Sequence, residues 1–217
     1  MSEVQRKFVF YMDGLRYSFA MAALATTRLK AALDEIYFRI EKEECCEELI
    51  PAVMLDAWTI VDICYRVRQL IQQTPGLSQR LPEIQTFLHS TTQADKLRHY
   101  VQHLRSEISN ASTSSSPVWG SLSWIPSFNK ICHTIFTGNL LDGISVRSIS
   151  YDREASRFTS ELILEAGGIE IDLKEISDGL AKLKIFICAW IDLQPNMKRS
   201  NAKTPIIKFG PVSKGGQ

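Results

Sequence analysis

Apolar residues in the first half of the chain recur every three or four positions, which is the spacing of the buried face of an α-helix. The first such stripe runs from about residue 13 to residue 42 and comprises Leu15, Phe19, Ala22, Ala23, Leu29, Leu33, Ile36 and Ile40. A second helix is predicted over residues 47–73, where Thr74-Pro75-Gly76 ends it. A short helix after Pro82 and a long one over residues 92–109 follow. The pattern predicts a compact four-helix bundle with short connections.

The second half of the chain has a different pattern, in which β-branched and aromatic residues alternate in short runs. The predicted strands cover residues 118–125, 131–138, 144–151, 158–166 and 169–173. Gly167 and Gly168 supply a two-residue hairpin turn before the last of them. A helix is predicted over residues 174–193, with Ile176, Leu180, Leu183 and Ile187 on its inner face. The predicted fold class is therefore α+β: an N-terminal four-helix bundle, then a small antiparallel β-sheet module with one C-terminal helix.

A polar run without periodicity, NASTSSSP at residues 110–117, separates the two patterns and is typical of a linker. The sequence accordingly predicts a helical domain at residues 1–112 and a small α+β module at residues 113–195. Residues 196–217 form a basic tail, because no acidic residue follows Asp192. We expect this tail to be flexible.

The composition excludes several classes of protein. Of the 217 residues, 45% are hydrophobic and 23% are charged, and 25 basic residues nearly balance 24 acidic ones, for a formal net charge of +1. This balance argues against a surface built throughout to bind nucleic acid, although it leaves room for a local site. No run of about 18 apolar residues occurs, so no membrane span is predicted, and charges within residues 8–33 argue against a secretory signal.

The cysteines and the short motifs narrow the chemistry further. Five cysteines, an odd number with no CxxC pair, favour reduced thiols in a cytoplasmic protein over a disulfide framework or a zinc site. His89 and His133 have no ligand-spaced neighbours, and neither a GxSxG motif nor a glycine-rich phosphate loop is present. We therefore expect no metal and no cofactor.

The polar face of the predicted fourth helix is the most informative feature of the sequence. At about 100° per residue, one narrow arc contains Leu97, Val101, Leu104 and Ile108, and the opposite side contains Arg98, His99, Gln102, His103 and Ser106. Two histidines and one arginine are thus expected to project away from the bundle core. An ordinary solvated helix face accounts for the same residues, and their spacing alone does not decide between the two interpretations.

The segment Arg98-His99-Tyr100-Val101-Gln102-His103 resembles the Rx4–6H motif of HEPN-domain proteins, in the form where a polar residue follows the arginine. HEPN domains are small bundles of four or five helices with this motif late in the domain. The stretch from Asp56 to Asp62, followed by Arg66, is similar to the second helix of uncharacterised bacterial HEPN-like proteins. The resemblance covers about residues 1–112 and implies that the predicted bundle is HEPN-like.

The resemblance implies a metal-independent endoribonuclease whose substrate is RNA, in a toxin, phage-defence or stress-response system. In such enzymes two motifs face each other across the twofold axis of a homodimer. Arg98 would hold the phosphate, because a guanidinium is a planar donor that stays charged. His103 would act as the acid–base, because histidine titrates near neutral pH. The RNA sequence preference and any neutralising antitoxin or regulator are not encoded in visible motifs.

Secondary polar roles fall to His99, Gln102, Asp56 and Asp62. Asp56 lies on the apolar face of the second helix. An unpaired carboxylate is costly there, so Asp56 should be paired or near the bundle surface. Asp62 lies four residues before Arg66, which favours a simple ion pair along one helix. For both carboxylates, structural pairing is the alternative to a role at the active site.

Two further interpretations stay open. Trp119 and Trp124 could stack on nucleobases, but a position in a small β core is the commoner use of tryptophan. The whole helical half could also be a non-catalytic dimerisation or interaction module. A dimer with both copies of Arg98 and His103 in one accessible cleft would favour catalysis, whereas a buried, ion-paired Arg98 would favour the interaction module.

Overall fold

The computed structural model describes residues 3–110, 117–138 and 148–193. The helices are α1 (Glu3–Glu41), α2 (Ile50–Gln73), α3 (Pro82–Ser90), α4 (Thr92–Gln102), α5 (Leu104–Asn110) and α6 (Leu173–Asp192), and a 3₁₀ turn at Glu47–Leu49 precedes α2. The strands are β1 (Ser121–Trp124), β2 (His133–Phe136), β3 (Tyr151–Asp152), β4 (Arg157–Phe158), β5 (Leu162–Ala166) and β6 (Ile169–Asp172). The α+β class, the small antiparallel sheet and the C-terminal helix are confirmed.

The main sheet has four antiparallel strands in the order β2-β1-β5-β6. Strands β3 and β4 pair separately as a short antiparallel ribbon. Half of the predicted strand at 144–151, the centre of the predicted linker and the predicted tail at 196–217 lie outside the described residues.

Three boundaries differ from the sequence prediction. Helix α1 begins ten residues earlier than expected, and Phe8 within this extension is buried. The predicted fourth helix is two helices, because the backbone of His103 leaves helical geometry at φ −107° and ψ 20°. The predicted strand at 158–166 is likewise divided between β4 and β5. Within the part of the chain that the structure describes, no helix combines the length and apolar character needed to cross a membrane.

One hydrophobic core extends through both halves of the chain. Helix α6 contacts α1, α2 and α3, and its buried residues are Leu173, Ile176, Leu180, Leu183 and Ile187. They belong to the same cluster as the buried faces of α1, α2 and α4. The segments on either side of the predicted boundary near residue 112 therefore bury their apolar faces against each other. Cys64 lies in this core, and burial raises the pKa of its thiol to about 12.

Helix α4 is joined to the sheet through the buried side chain of Tyr100. Its hydroxyl donates a hydrogen bond to Val118 O at 3.0 Å, and its ring lies over the β5–β6 turn. Gly167 and Gly168 have φ angles of 58° and 75° in that turn, as the predicted two-residue hairpin requires. A Cβ atom on Gly167 would lie 2.5 Å from the Tyr100 ring, whereas one on Gly168 would meet nothing within 4 Å.

These two glycines provide a matched test of the contact between α4 and the sheet. Gly168→Ala should lower the free energy of unfolding by about 1 kcal/mol, the cost of a left-handed backbone for alanine. Gly167→Ala should cost roughly 3 kcal/mol or more, because its Cβ also displaces the Tyr100 ring. Urea denaturation of both variants measures the difference, and equal losses would contradict the packing described here.

Candidate functional site

The start of α4 is fixed to α2 by Arg68, which is 7% exposed. Its guanidinium donates from Nε to Asp95 Oδ1 at 3.0 Å and from Nη2 to Asp95 Oδ2 at 2.7 Å. Nη1 donates to Thr91 Oγ1 at 2.7 Å and to Leu88 O. Such a bidentate pair sets both the position and the rotation of a helix. The sequence pattern did not lead us to Arg68, although a basic residue within the buried apolar face of α2 was a visible signal.

One turn farther along α4, Arg98 contacts Asp62 of α2, with Arg98 Nε 2.8 Å from Asp62 Oδ1. The Nε–H is not aligned with the carboxylate, so the contact is an ion pair without a hydrogen bond. Arg66 Nε donates to Asp62 Oδ2 at 2.6 Å, so one carboxylate lies between two guanidinium groups. We call Asp62, Arg66 and Arg98 the Asp62 cluster. The Cζ atom of Arg98 also lies 6.0 Å from the Tyr65 ring centroid.

Arg98 is more enclosed than the sequence predicted. Its side chain is 26% exposed because it lies at the margin of the polar face and is long enough to reach α2. Among the described residues, neither Nη1 nor Nη2 of Arg98 makes a hydrogen bond. Asp62 therefore contacts the guanidinium of Arg98 through Nε, and the N–H groups of Nη1 and Nη2 remain available to donate hydrogen bonds to a ligand.

The remaining polar residues of α4 are exposed to solvent. The rings of His99 and His103 are in contact, with centroids 4.3 Å apart and an interplanar angle of 50°, and Gln102 is exposed beside them. His103 lies at the break between α4 and α5, where its N–H donates to His99 O and Tyr100 O. Five positions along a helix separate Arg98 and His103 by about 140° around its axis. A single chain thus places them at opposite margins of the polar face.

Asp56 lies apart from these residues, on the side of α2 that faces α1. It is 4% exposed, and its Oδ2 forms an ion pair with Arg28 Nε of α1 at 3.2 Å. Burial raises the pKa of the Asp56 carboxyl, and the positive charge of Arg28 partly opposes that change. Asp56 therefore joins α1 to α2 and does not contact the Asp62 cluster.

An exposed apolar surface lies beside the Asp62 cluster. Phe10, Met21 and Leu24 of α1 are 62%, 53% and 58% exposed, and their spacing places them within about 60° of one another on the helix. Leu55 of α2 is also 62% exposed and precedes Asp56, which is paired with Arg28 of α1. We call these four residues the apolar stripe. Leu55 and Asp62 are two turns apart on one face of α2, so the stripe and the cluster share one side of the molecule.

A cavity of about 1070 Å³ lies elsewhere, between α3, the β3–β4 ribbon and the first half of α6. Its lining mixes charges of both signs, including Glu83, Lys130, Arg157, Lys174 and Asp178, and contains none of the candidate residues. In the described part of the chain, no group of three or more His, Cys, Asp or Glu residues is placed to hold a metal ion.

Comparisons with protein-family models, with curated proteins and with solved structures gave no match to this chain. The resemblance to HEPN domains therefore stays a prediction from the residues quoted in the sequence analysis.

The ionisation of Asp56 gives a prediction for stability against pH. Because the folded-state pKa is raised above the ordinary value of about 3.9, the folded state binds the proton more tightly than the unfolded state does. The contribution of Asp56 to the stability of the fold is therefore lost as the pH rises through its folded-state pKa. Asp56→Asn should flatten the loss of stability that follows as the pH rises above about 4, as measured by denaturant unfolding at several pH values.

Arg28→Gln provides the opposite test, because removal of the positive charge should make the same pH dependence steeper. The assignment fails if Asp56→Asn and the parent protein lose stability in parallel over this range.

Proposed function

We propose that this chain is a metal-independent endoribonuclease of the HEPN type, with a composite site that a second copy of the chain completes. The observation that carries the proposal is the Asp62 cluster, whose Arg98 lies on the same helix, α4, as the exposed His99–His103 pair. Two guanidinium groups share a single carboxylate, so the cluster keeps one net positive charge with which to attract a phosphate. Imidazoles are the groups best suited to proton transfer near neutral pH.

The proposed reaction uses the 2′-hydroxyl of the RNA as the nucleophile. His103 removes the proton from that hydroxyl, and the 2′-oxygen attacks the adjacent phosphorus. The bond from phosphorus to the 5′-oxygen then breaks, and the partner's His103 donates a proton to the leaving oxygen. The products are a 2′,3′-cyclic phosphate and a free 5′-hydroxyl. Arg98 donates from its terminal nitrogens to the pentacoordinate phosphate, while Asp62 orients the guanidinium.

The positions of Arg98 and His103 within one chain are the reason why we propose that a second copy completes the site. Because Arg98 and His103 lie at opposite margins of the polar face, a twofold axis near that face would bring the arginine of each copy toward the histidine of the other. The apolar stripe is the surface we expect the second copy to cover. At roughly 100 Å² per exposed side chain, two stripes would bury on the order of 800 Å². The polar neighbours on α2 would have to supply the rest of an interface of about 1,200 Å² or more.

A non-catalytic interaction module is the second candidate, and the Arg98–Asp62 ion pair favours it. A guanidinium that is already paired has less attraction left for a phosphate than a free one. Both candidate functions are compatible with a dimer, but only the nuclease cleaves RNA. An assay of RNA cleavage by the purified protein therefore distinguishes them.

Two substitutions test catalysis directly. Arg98→Ala and His103→Ala should each lower the rate of RNA cleavage by roughly 100-fold or more, with a chelator present throughout. Arg105→Ala and His89→Ala, at exposed positions outside the site, should retain the parent rate. Cleavage is followed on labelled RNA by gel electrophoresis, and the two site variants should keep the parent's oligomeric state. Equal cleavage by the parent and both site variants would refute the nuclease proposal.

A matched pair of substitutions tests the dimer surface. Leu24→Lys should convert the dimer to a single chain at micromolar concentration, because it places a charge in the centre of the proposed contact. Ile185→Lys, at a residue of α6 that is 72% exposed, should leave the dimer unchanged. Sedimentation velocity measures both masses. A parent protein that sediments as a single chain would remove the composite site from consideration.

A further inference from the structure

Trp119 and Trp124 occupy different environments, although the sequence placed both in one strand. Trp124 is 4% exposed within the core, whereas Trp119 is 49% exposed and precedes β1. Trp119 lies in a tight turn in which the Gly120 N–H donates to Pro117 O at 2.8 Å. Gly120 has a φ of 84°, and a Cβ atom there would lie 2.1 Å from Glu165 O. The backbone that carries the Trp119 ring is therefore fixed against β5.

The Trp119 side chain is also held from the side of α2. Its ring centroid lies 6.5 Å from that of Trp58, with an interplanar angle of 76°, so the two rings meet edge to face. The indole N–H of Trp58 donates to Trp119 O at 3.1 Å. Contacts to both its ring and its backbone hold Trp119 in place while about half of its surface remains in solvent.

Trp119 is connected to the Asp62 cluster through α2 and α4. Trp58 and Asp62 are four residues apart on α2, so their side chains are neighbours on one face of the helix. From α4, the hydrogen bond from the Tyr100 hydroxyl to Val118 O brings the chain next to Trp119 within two residues of Arg98. Trp58 contacts Trp119, and Asp62, one helical turn farther along α2, is paired with Arg98.

We propose that Trp119, backed by Trp58, stacks on an unpaired nucleobase next to the phosphate held by Arg98, so that the substrate is single-stranded RNA. This inference rests on the proposed nuclease function and assigns a role to the segment that follows the predicted linker. A base within a duplex is already stacked on both faces and cannot reach an aromatic side chain. Because every base has a π face, the contact selects for unpaired strands and carries little sequence preference.

The test compares Trp119→Ala and Trp119→Phe in a His103→Ala background, which keeps the RNA intact during binding. The probes are a fluorescently labelled oligoribonucleotide without self-complementarity and a blunt duplex of the same sequence. Trp119→Ala should weaken single-strand binding roughly tenfold or more, while Trp119→Phe should retain most of it. Duplex binding should be weak and equal in both. In the otherwise unmodified chain, Trp119→Ala should raise KM by a similar factor and leave kcat near the parent value.

Tyr151→Ala is the matched control, because this aromatic residue is 50% exposed and lies in β3, outside the Asp62 cluster. If Trp119→Ala lowers the unfolding temperature, Trp119→Leu keeps an apolar contact with Trp58 while removing the π face. Binding of the single strand that is unchanged in Trp119→Ala, or lost equally in Tyr151→Ala, would overturn the proposal.

The outcomes also separate this proposal from the nuclease itself. Cleavage by the parent with no effect of Trp119→Ala would overturn the stacking role alone. Binding that depends on Trp119, in a protein that cleaves no RNA, would support the stacking surface and reject the catalysis. A parent protein that neither binds nor cleaves the single strand would overturn both.

Discussion

The packing of Tyr100 against the β5–β6 turn is the contact on which the position of the candidate site depends. It sets α4 on the sheet from one side, while the buried Arg68–Asp95 pair sets α4 on α2 from the other. Only glycine at position 167 leaves room for the ring, since any Cβ atom would overlap it. The side chains that we assign to RNA therefore project from a helix whose position and rotation are both determined by buried contacts.

Two carboxylates on α2 show how burial and the number of partners decide the role of a charge. Asp56 is almost fully buried and forms an ion pair with Arg28, so burial dominates and raises the pKa of its carboxyl. Asp62 is about one-third exposed and lies between Arg66 and Arg98. It can neutralise only one of the two guanidinium groups. Exposed ion pairs stabilise a fold by less than about 1 kcal/mol, so the main effect of Asp62 is to orient its arginines.

Helical periodicity predicted the helices, while strand alternation and the Gly167–Gly168 pair predicted the antiparallel sheet and its turn, because each depends on local residue preferences. These patterns did not predict the break between α4 and α5 at His103 or the contact of the Arg98 side chain with Asp62 of α2. Periodicity gives the direction in which a side chain leaves the helix, but not where a long side chain ends. Trp119 and Trp124 fall within one predicted strand, 118–125, yet the turn at Gly120 excludes Trp119 from β1. The packing of α6 on α1 and α2 joins segments more than 90 residues apart, which no local pattern reveals.

The shared core also limits how the chain can be divided. A fragment that ended near residue 112 would lack α6, and the faces of α1, α2 and α3 that α6 covers would be exposed to water. Such faces associate with one another or with other chains when they are uncovered. The two halves should accordingly melt in a single cooperative transition, and neither should be stable when expressed alone. The serine-rich segment between them thus joins two parts of one folding unit.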